Sequence, residues 1–451
     1  MATIFLDVHL PNAPTWFYLS LLLAVALFFK FSRVLSVRNW DVLTLFLLVP
    51  GLLMLAEARP HLADPANPLR SAWLRYQWFG FFWLFCGSGY FILRCLLDLT
   101  LVRRPALSPN LSSGGLAWLA LALFVCLAAV AFRPTAEPEP VGKVSEVLDQ
   151  AEKGAKGILE HQTALNGSAE IDWDYWFGRA VAVLCHLSIV GGLVYIGWRH
   201  FQDLHIGIAA ATFYLLLPYT AYHAGQWHHV WPMALAVWAV ALYRRPTLAG
   251  LLLGLAAGTV YFPLLMFPVW CGFYGRRGAG RFSGAFILAG GLCLAVIGFI
   301  KWQAGELPRS MEQALSLADW APWILPKEDT QGFWTGVDWA WAYRIPVFIL
   351  YLALLITTAF WPSPKNLAHL LALSTALLIG IQFWYAEQGG VYVSWYLPLL
   401  LLMVFRPNLN DRRPLPIPRE TDWLLRLGRW LRRLALRLLR IVFPQGNKVT
   451  P

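Results

Sequence analysis

Two aspartates alternate with aromatic residues where the chain enters an apolar stretch. Asp172 and Asp174 flank Trp173, and Tyr175 precedes the apolar run that begins at Trp176. A carboxylate held at a membrane edge can act as a general base that takes a proton from an acceptor hydroxyl group. Tryptophan and tyrosine are also common at membrane interfaces, so an aromatic belt with interfacial acids is the alternative. Asp172, and after it Asp174, is the candidate catalytic residue, with Glu137 and Glu139 as the fallback.

A second polar stretch, 302–343, is rich in tryptophan and acidic residues. Indole rings present large flat apolar faces that suit the C–H faces of sugars, and carboxylates accept hydrogen bonds from hydroxyl groups. Trp320 and Trp334 are therefore candidate substrate-binding residues, with an interfacial belt as the alternative. Arg344 opens the next apolar run directly after this stretch. Arg344 is therefore a further candidate substrate-binding residue; a side chain that reaches from the apolar region to the interface is the alternative.

Histidines cluster in a short segment between two apolar runs. His223, Gln226, His228 and His229 supply hydrogen-bonding groups that could hold a phosphate or a sugar. His228 and His229 are adjacent at the predicted start of a helix, so at most one of them is expected to point into a given site. All four are candidate substrate-binding residues, and ordinary interfacial histidines are the alternative.

Several other kinds of chemistry lack their sequence signatures. We find no HExxH pattern, phosphate-binding P-loop or dinucleotide-binding glycine pattern, and no residue cluster that requires a metal. All six cysteines lie within apolar runs, which favours buried small hydrophobic residues over disulfides or thiolate metal ligands. We therefore expect no cofactor. These patterns do not exclude binding of a divalent cation.

The composition indicates a polytopic membrane protein. Of 451 residues, 58% are hydrophobic and 14% are charged, whereas soluble domains contain about 25% charged residues. The mean hydropathy is +0.54. These values exclude a water-soluble enzyme and predict an all-α fold of about 13 transmembrane helices. The predicted spans are 15–32, 42–57, 74–97, 114–132, 176–198, 204–222, 228–243, 247–261, 263–275, 282–301, 344–361, 366–385 and 392–406.

The distribution of basic residues predicts the orientation. Arg244-Arg245, Arg276-Arg277 and the tail fall on one side if the N-terminus lies outside, and basic loops stay in the cytoplasm. The stretches 134–175 and 302–343 then form two extracytoplasmic loops, for which we expect short surface helices. We predict an integral protein of the bacterial inner (plasma) membrane with a cytoplasmic C-terminus.

The basic tail, 406–451, accounts for much of the net charge of +11. Within it, 421–443 separates six arginines from a face of leucine and tryptophan, as in helices that lie on anionic lipid headgroups. A helix that binds a protein partner is the alternative. The charge is therefore assigned to membrane lipids as partners and not to nucleic acid.

The stretch 186–275 resembles part of a known family. It contains Leu217-Pro218, Gly225-Gln226, the basic turn Arg244-Arg245, a Gly/Ala-rich run 249–258 and a break at Pro263. This pattern is similar to the C-type (GT-C) superfold of membrane glycosyltransferases, most of all to polyprenol-phosphate-mannose-dependent mannosyltransferases. The chain departs from that pattern by lacking the lysine before the proline break.

The resemblance implies a GT-C-like core at 111–405 after an added N-terminal helical unit at 1–110. It implies transfer of a sugar from a polyprenyl-phosphate donor to an acceptor on the extracytoplasmic face. The alternative is a non-catalytic relative of this fold, or a transporter of a lipid-linked substrate. Few ionisable residues lie within the predicted spans, which counts against ion-coupled transport.

Overall fold

The computed structural model describes residues 13–100, 107–133, 173–303, 322–323, 330–335 and 340–414, together with Trp430 and Arg433. Within these ranges the chain forms helices and no strands, as predicted. The helices are α1 (Ala13–Phe28), α2 (Val37–Thr44), α3 (Val49–Ala63), α4 (Arg70–Asp98), α5 (Ser113–Ala131), α6 (Trp173–Ile196), α7 (Leu204–Leu216), α8 (Pro218–Tyr222), α9 (Trp227–Ala241), α10 (Pro246–Thr259), α11 (Phe267–Gln303), α12 (Arg344–Phe360), α13 (Leu367–Trp384) and α14 (Leu397–Phe405). A kink at Gly275, whose backbone is not helical, divides α11 into two helical parts.

Six stretches of the described chain are helical, long and apolar enough to cross a membrane, which is compatible with an integral membrane protein. They are Val37–Ala63, Arg70–Asp98, Ser113–Ala131, Trp176–Phe201, Gly278–Val296 and Leu367–Trp384. Six of the thirteen predicted spans coincide with these stretches, and the other seven fall on shorter helices. The count of thirteen therefore stays a prediction.

The helices divide into a buried centre and an apolar periphery. In α13, 89% of the most apolar window is buried, compared with 17% in Gly278–Val296 of α11 and 22% in α5. The exposed residues of the outer helices are large and apolar, for example Leu288, Leu292, Trp118 and Leu121. An apolar outer surface of this kind suits lipid, because no water-facing protein surface would expose so many large hydrophobic side chains.

Glycines at every fourth position of α10 bring that helix close to α11. A Cβ atom on Gly250 or Gly254 would collide with the backbone oxygen of Phe282 or Phe286. Small residues at this spacing let two helix backbones approach closely inside a membrane. The Gly/Ala-rich run of the sequence is therefore used here for helix packing.

We expect Gly254→Val to destabilise the protein by about 1–3 kcal/mol, because the added side chain has to push α10 away from α11. The measurement is the thermal unfolding midpoint of the purified protein in detergent. Gly291→Val is the matched control, since Gly291 on α11 has no atom within 4 Å of its Cβ position. Equal unfolding midpoints for the two variants would contradict the packing argument.

The predicted N-terminal unit, 1–110, packs directly on the predicted core. The backbone N–H of Leu48 donates a hydrogen bond to the Tyr219 hydroxyl at 3.1 Å. The rings of Phe28 and Phe213 lie 4.8 Å apart, and those of Phe85 and Phe383 lie 4.4 Å apart. The two parts share one buried interior, and the boundary at 110 stays a prediction.

Four buried charged residues link α2 with the ends of α4 and α14. We call them the ionic network (Asp41, Arg94, Asp98 and Arg406). Arg94 contacts both oxygens of Asp41 at 2.6 and 2.8 Å and Asp98 Oδ1 at 3.1 Å. Arg406 contacts Asp98 Oδ2 with Nε and Nη2 at 2.8 and 2.6 Å. Both aspartates and both arginines are buried. Each charge is therefore balanced within the network.

Candidate functional site

Five aromatic rings from three parts of the chain form one continuous stack, the ring stack (Phe262, Trp395, Tyr392, His229 and His223). Phe262 lies on Trp395 with ring centres 4.1 Å apart, and Trp395 lies on Tyr392 at 4.3 Å. Tyr392 and His229 are 5.5 Å apart, and His229 and His223 are 4.5 Å apart. Each of these four pairs is stacked, with interplanar angles of 12° to 27°.

Breaks between helices place these rings. His223 follows the five-residue helix α8, and His229 lies in the first turn of α9. Phe262 begins the short 3-10 turn Phe262–Met266 after α10, and Trp395 ends a second such turn before α14. Proline at 218, 263 and 398 lies at or next to the start of α8, of that first turn and of α14. Because proline suits the first turn of a helix and cannot continue one, it defines where these segments begin.

Each of the two stacked histidines has its Nδ1 in a hydrogen bond. The indole Nε1–H of Trp395 donates to His229 Nδ1 at 3.3 Å, and because this nitrogen accepts, His229 is neutral with its proton on Nε2. His223 Nδ1 lies 2.8 Å from Gln226 Oε1, which can only accept. A neutral His223 that donates from Nδ1 carries its lone pair on Nε2. The arrangement therefore combines a hydrogen-bond donor on His229 with a basic nitrogen on His223.

The four predicted residues of the 223–229 segment separate into two groups. His223, Gln226 and His229 come together at the stack. The ring of His228 instead packs against Trp227 with ring centres 4.5 Å apart. This division agrees with the expectation that the adjacent histidines point in different directions.

Trp334 and Arg344 both lie at the C-terminal end of α13. The Trp334 Nε1–H donates to the Phe383 carbonyl at 2.8 Å, and Arg344 Nε–H donates to the Trp384 carbonyl at 3.0 Å. Both side chains are buried. These contacts hold the last carbonyls of α13, which have no partner within the helix. The structure therefore gives both residues a role in helix termination.

Two predicted residues, Asp172 and Trp320, lie outside the described residues. Asp174 falls in the first turn of α6, which begins at Trp173. Close to that turn, the ring of Trp176 packs on Phe132, with ring centres 5.3 Å apart. The backbone at Asp174 therefore lies beside the end of α5. Surface helices were expected in 134–175 and 302–343, and of these stretches 134–172 and 304–321 are also outside the described residues. The same holds for the amphipathic tail helix of 421–443, apart from Trp430 and Arg433.

Three arginines surround the segment that carries His223, and we call them the arginine rim (Arg59, Arg133 and Arg179). Arg59 Nη2 donates to the Tyr222 hydroxyl at 3.4 Å. Arg133 follows the end of α5 and lines a cavity together with Tyr222. A Cβ atom on Gly225 would lie 3.6 Å from Arg179 Cγ. The rim places three arginine side chains next to the segment that carries His223.

An apolar cavity of about 380 Å³ lies beneath this rim. Its lining along α5 runs from Leu123 to Val130, which corresponds to about 10 Å of helix, and continues to Arg133 just after the helix. α1 and α3, from the predicted N-terminal unit, form much of the remaining wall. The lining residues are Ala13, Trp16, Leu19, Val49, Leu52, Leu53, Ala56, Leu123, Cys126, Leu127, Val130, Arg133, Leu215, Pro218, Ala221 and Tyr222.

The sequence analysis passed over Glu387. Its half-buried carboxylate interacts electrostatically with the hydroxyl of Tyr392, which also interacts with Tyr222. Glu387 therefore lies close to the ring stack. The available signal was its place as the acidic residue in the short turn between the predicted spans 366–385 and 392–406.

Among the residues that the structure describes, no group of three or more histidine, cysteine, aspartate or glutamate side chains could hold a metal ion. The ring stack contributes imidazole, phenol, indole and phenyl groups. Together with the arginine rim and Glu387, these groups can bind an anion and hydroxyl groups and can accept a proton.

Comparison of the chain with protein-family models, with curated proteins and with solved structures finds no match.

Proposed function

We propose that the chain is a membrane glycosyltransferase that moves a sugar from a polyprenyl-phosphate donor to an acceptor on the extracytoplasmic face. The observation that carries the proposal is the apolar cavity with Arg133 and Tyr222 at one end. A polyprenyl phosphate has the same division, with a long apolar chain and a charged group at one end. The resemblance of 186–275 to GT-C enzymes supports the same class of donor.

The arginine rim suits the phosphate of such a donor. Arginine binds phosphate oxygens through a planar fork of N–H groups and keeps its charge at every physiological pH. Arg133 lines the cavity itself, and Arg59 is tied to it through Tyr222. A tail in the cavity would therefore place the phosphate among these side chains, and its sugar near His223.

In the proposed reaction a carboxylate removes the proton of an acceptor hydroxyl. The oxygen then attacks the anomeric carbon of the sugar, and the bond from that carbon to the phosphate oxygen breaks. The lipid phosphate leaves with the electron pair, and the arginine rim stabilises its charge. Asp172, and after it Asp174, is the proposed base. Glu387 is the structure's additional candidate.

A non-catalytic relative, or a transporter of a lipid-linked substrate, is the alternative. The cavity and the arginine rim would suit such a protein equally well, because they would bind the tail and the phosphate of the lipid without taking part in the breaking of a bond. The missing lysine before Pro263 favours this alternative. Sugar transfer by the purified protein separates the two proposals, since only the enzyme releases free polyprenyl phosphate.

We expect Arg133→Gln to weaken binding of a polyprenyl phosphate about tenfold or more, because the variant loses a charged hydrogen bond to the phosphate. Leu127→Trp should weaken binding of both the polyprenyl phosphate and the uncharged polyprenol, because the indole occupies the tail cavity. Both affinities can be measured with the full-length protein in detergent by titration of the lipid.

The controls carry the same changes away from the cavity. Arg75→Gln removes an exposed arginine near the start of α4, and Leu121→Trp enlarges a residue on the exposed face of α5. Both variants should bind like the wild type. If Arg75→Gln and Arg133→Gln lose affinity equally, the phosphate is held by general surface charge, and the assignment to this cavity fails.

A further inference from the structure

A second cavity lies at the opposite end of the helix bundle, where α4 and α14 end and α13 begins. Its volume is about 300 Å³, and six of its nine lining residues are polar or charged. The polar ones are Asp98, Asn366, His369, Arg406, Asn410 and Arg413. It differs from the first cavity, whose wall is almost entirely apolar. We infer that this second cavity is a binding site for a phosphate group, and we call it the polar cavity.

The charges around the polar cavity favour an anion. Both oxygens of Asp98 are already engaged, Oδ1 by Arg94 and Oδ2 by Arg406, so this carboxylate offers little to a cation. His369 interacts electrostatically with Arg406, Arg413 and Lys365, as well as with Asp98. A negatively charged ligand would therefore enter a positive environment, and a cation would be repelled by it.

The polar groups of the cavity suit phosphate oxygens. Arg413 is exposed at the cavity, so its guanidinium can turn towards a ligand without breaking a buried contact. Asn410 is exposed beside it, and the half-buried imidazole of His369 provides a further hydrogen-bonding group. A volume of about 300 Å³ lies at the lower limit of ordinary small-ligand pockets, which accommodates a phosphate with a small ester group.

Two sources provide this ligand chemistry. One is a phospholipid headgroup of the membrane leaflet at this end of the bundle, and the other is a soluble phosphate or phosphate ester. In both, the phosphate oxygens meet Arg413, His369 and Asn410. The inference does not depend on the proposed transferase function. The polar cavity lies at the start of α13 and the ring stack lies beyond its other end, and the helix between them is about 27 Å long.

The test uses full-length protein that has been delipidated in neutral detergent. Binding of short-chain phosphatidic acid and of inorganic phosphate is titrated and followed by the rise in thermal unfolding temperature. We expect saturable stabilisation by phosphatidic acid, and we expect Arg413→Gln to weaken its affinity about tenfold or more. Arg412→Gln is the control, because it removes the same charge from the neighbouring arginine, which does not line the cavity. The affinity of this variant for phosphatidic acid should stay within about twofold of the wild type.

The arms of the experiment separate the sources. Binding of phosphatidic acid without inorganic phosphate assigns a lipid headgroup, and equal affinity for both assigns a soluble phosphate ester; either result supports the site. Arg75→Gln removes an exposed arginine that lines neither cavity, and it should leave this binding unchanged. Equal losses in Arg412→Gln and Arg413→Gln, or no saturable binding of either probe, would overturn the inference.

Discussion

Asp172→Asn is expected to lower the rate of sugar transfer about 10²–10⁴-fold, because asparagine cannot take the proton of the acceptor hydroxyl. The thermal unfolding midpoint should stay close to that of the wild type, since surface substitutions usually change stability little and the sequence predicts Asp172 in a polar loop. The measurement is release of polyprenyl phosphate from a polyprenyl-phosphate sugar by the purified full-length protein. Asp174→Asn should show the loss instead if Asp174 is the base.

Glu387→Gln provides the matched comparison, because it makes the same chemical change at the third candidate carboxylate. Loss of turnover in this variant alone would identify Glu387, in the turn between α13 and α14, as the base. If all three variants keep wild-type turnover, none of these carboxylates is the base. If the wild type itself transfers no sugar from any donor, the non-catalytic alternative is favoured.

Asp98→Asn is expected to destabilise the protein by about 3–5 kcal/mol, which is a typical loss when one partner of a buried ion pair is removed. Arg94 keeps Asp41 as a partner in this variant. Arg406 keeps its charge but loses the carboxylate that both Nε and Nη2 contact. The result should be a lower thermal unfolding midpoint and a smaller fraction of monodisperse protein after purification.

A double variant tests whether the lost charge balance is the cause. Asp98→Asn with Arg406→Gln should be less destabilised than the sum of the two single variants, because removal of Arg406 also removes the uncompensated positive charge. Asp411→Asn is the control, since this aspartate is exposed. An Asp98→Asn variant as stable as Asp411→Asn would show that the ionic network contributes little.

Much of the helical architecture could be predicted from the sequence. Runs of apolar residues mark α4, α5, α6 and α13 within a few residues, because a segment of this length and apolarity has to satisfy its own backbone hydrogen bonds as a helix. The break at Pro263 was also visible, whereas the predicted span 204–222 runs through the break that the structure has at Pro218. The Gly/Ala-rich run could be noticed, but its contact with Phe282 and Phe286 depends on how α10 meets α11.

The candidate site was only partly accessible from the sequence. His223, Gln226 and His229 were selected as possible ligands of a phosphate or sugar, and the structure brings them together. Trp334 and Arg344 were selected for the same reason. The structure instead uses their N–H groups on the last carbonyls of α13, a contact across 40 or more residues that no local pattern indicates.

By itself, the sequence determined the all-helical class, the apolar stretches that suit a membrane and the position of the histidine segment, because these follow from local composition and spacing. Tertiary structure decided which distant residues meet. Arg59, Arg133 and Arg179 are separated by tens of residues, and they lie around one segment because the ends of α3 and α5 meet the start of α6 there. Cavities and buried charge pairs arise from the packing of several helices, and that packing has no signature within any one of them.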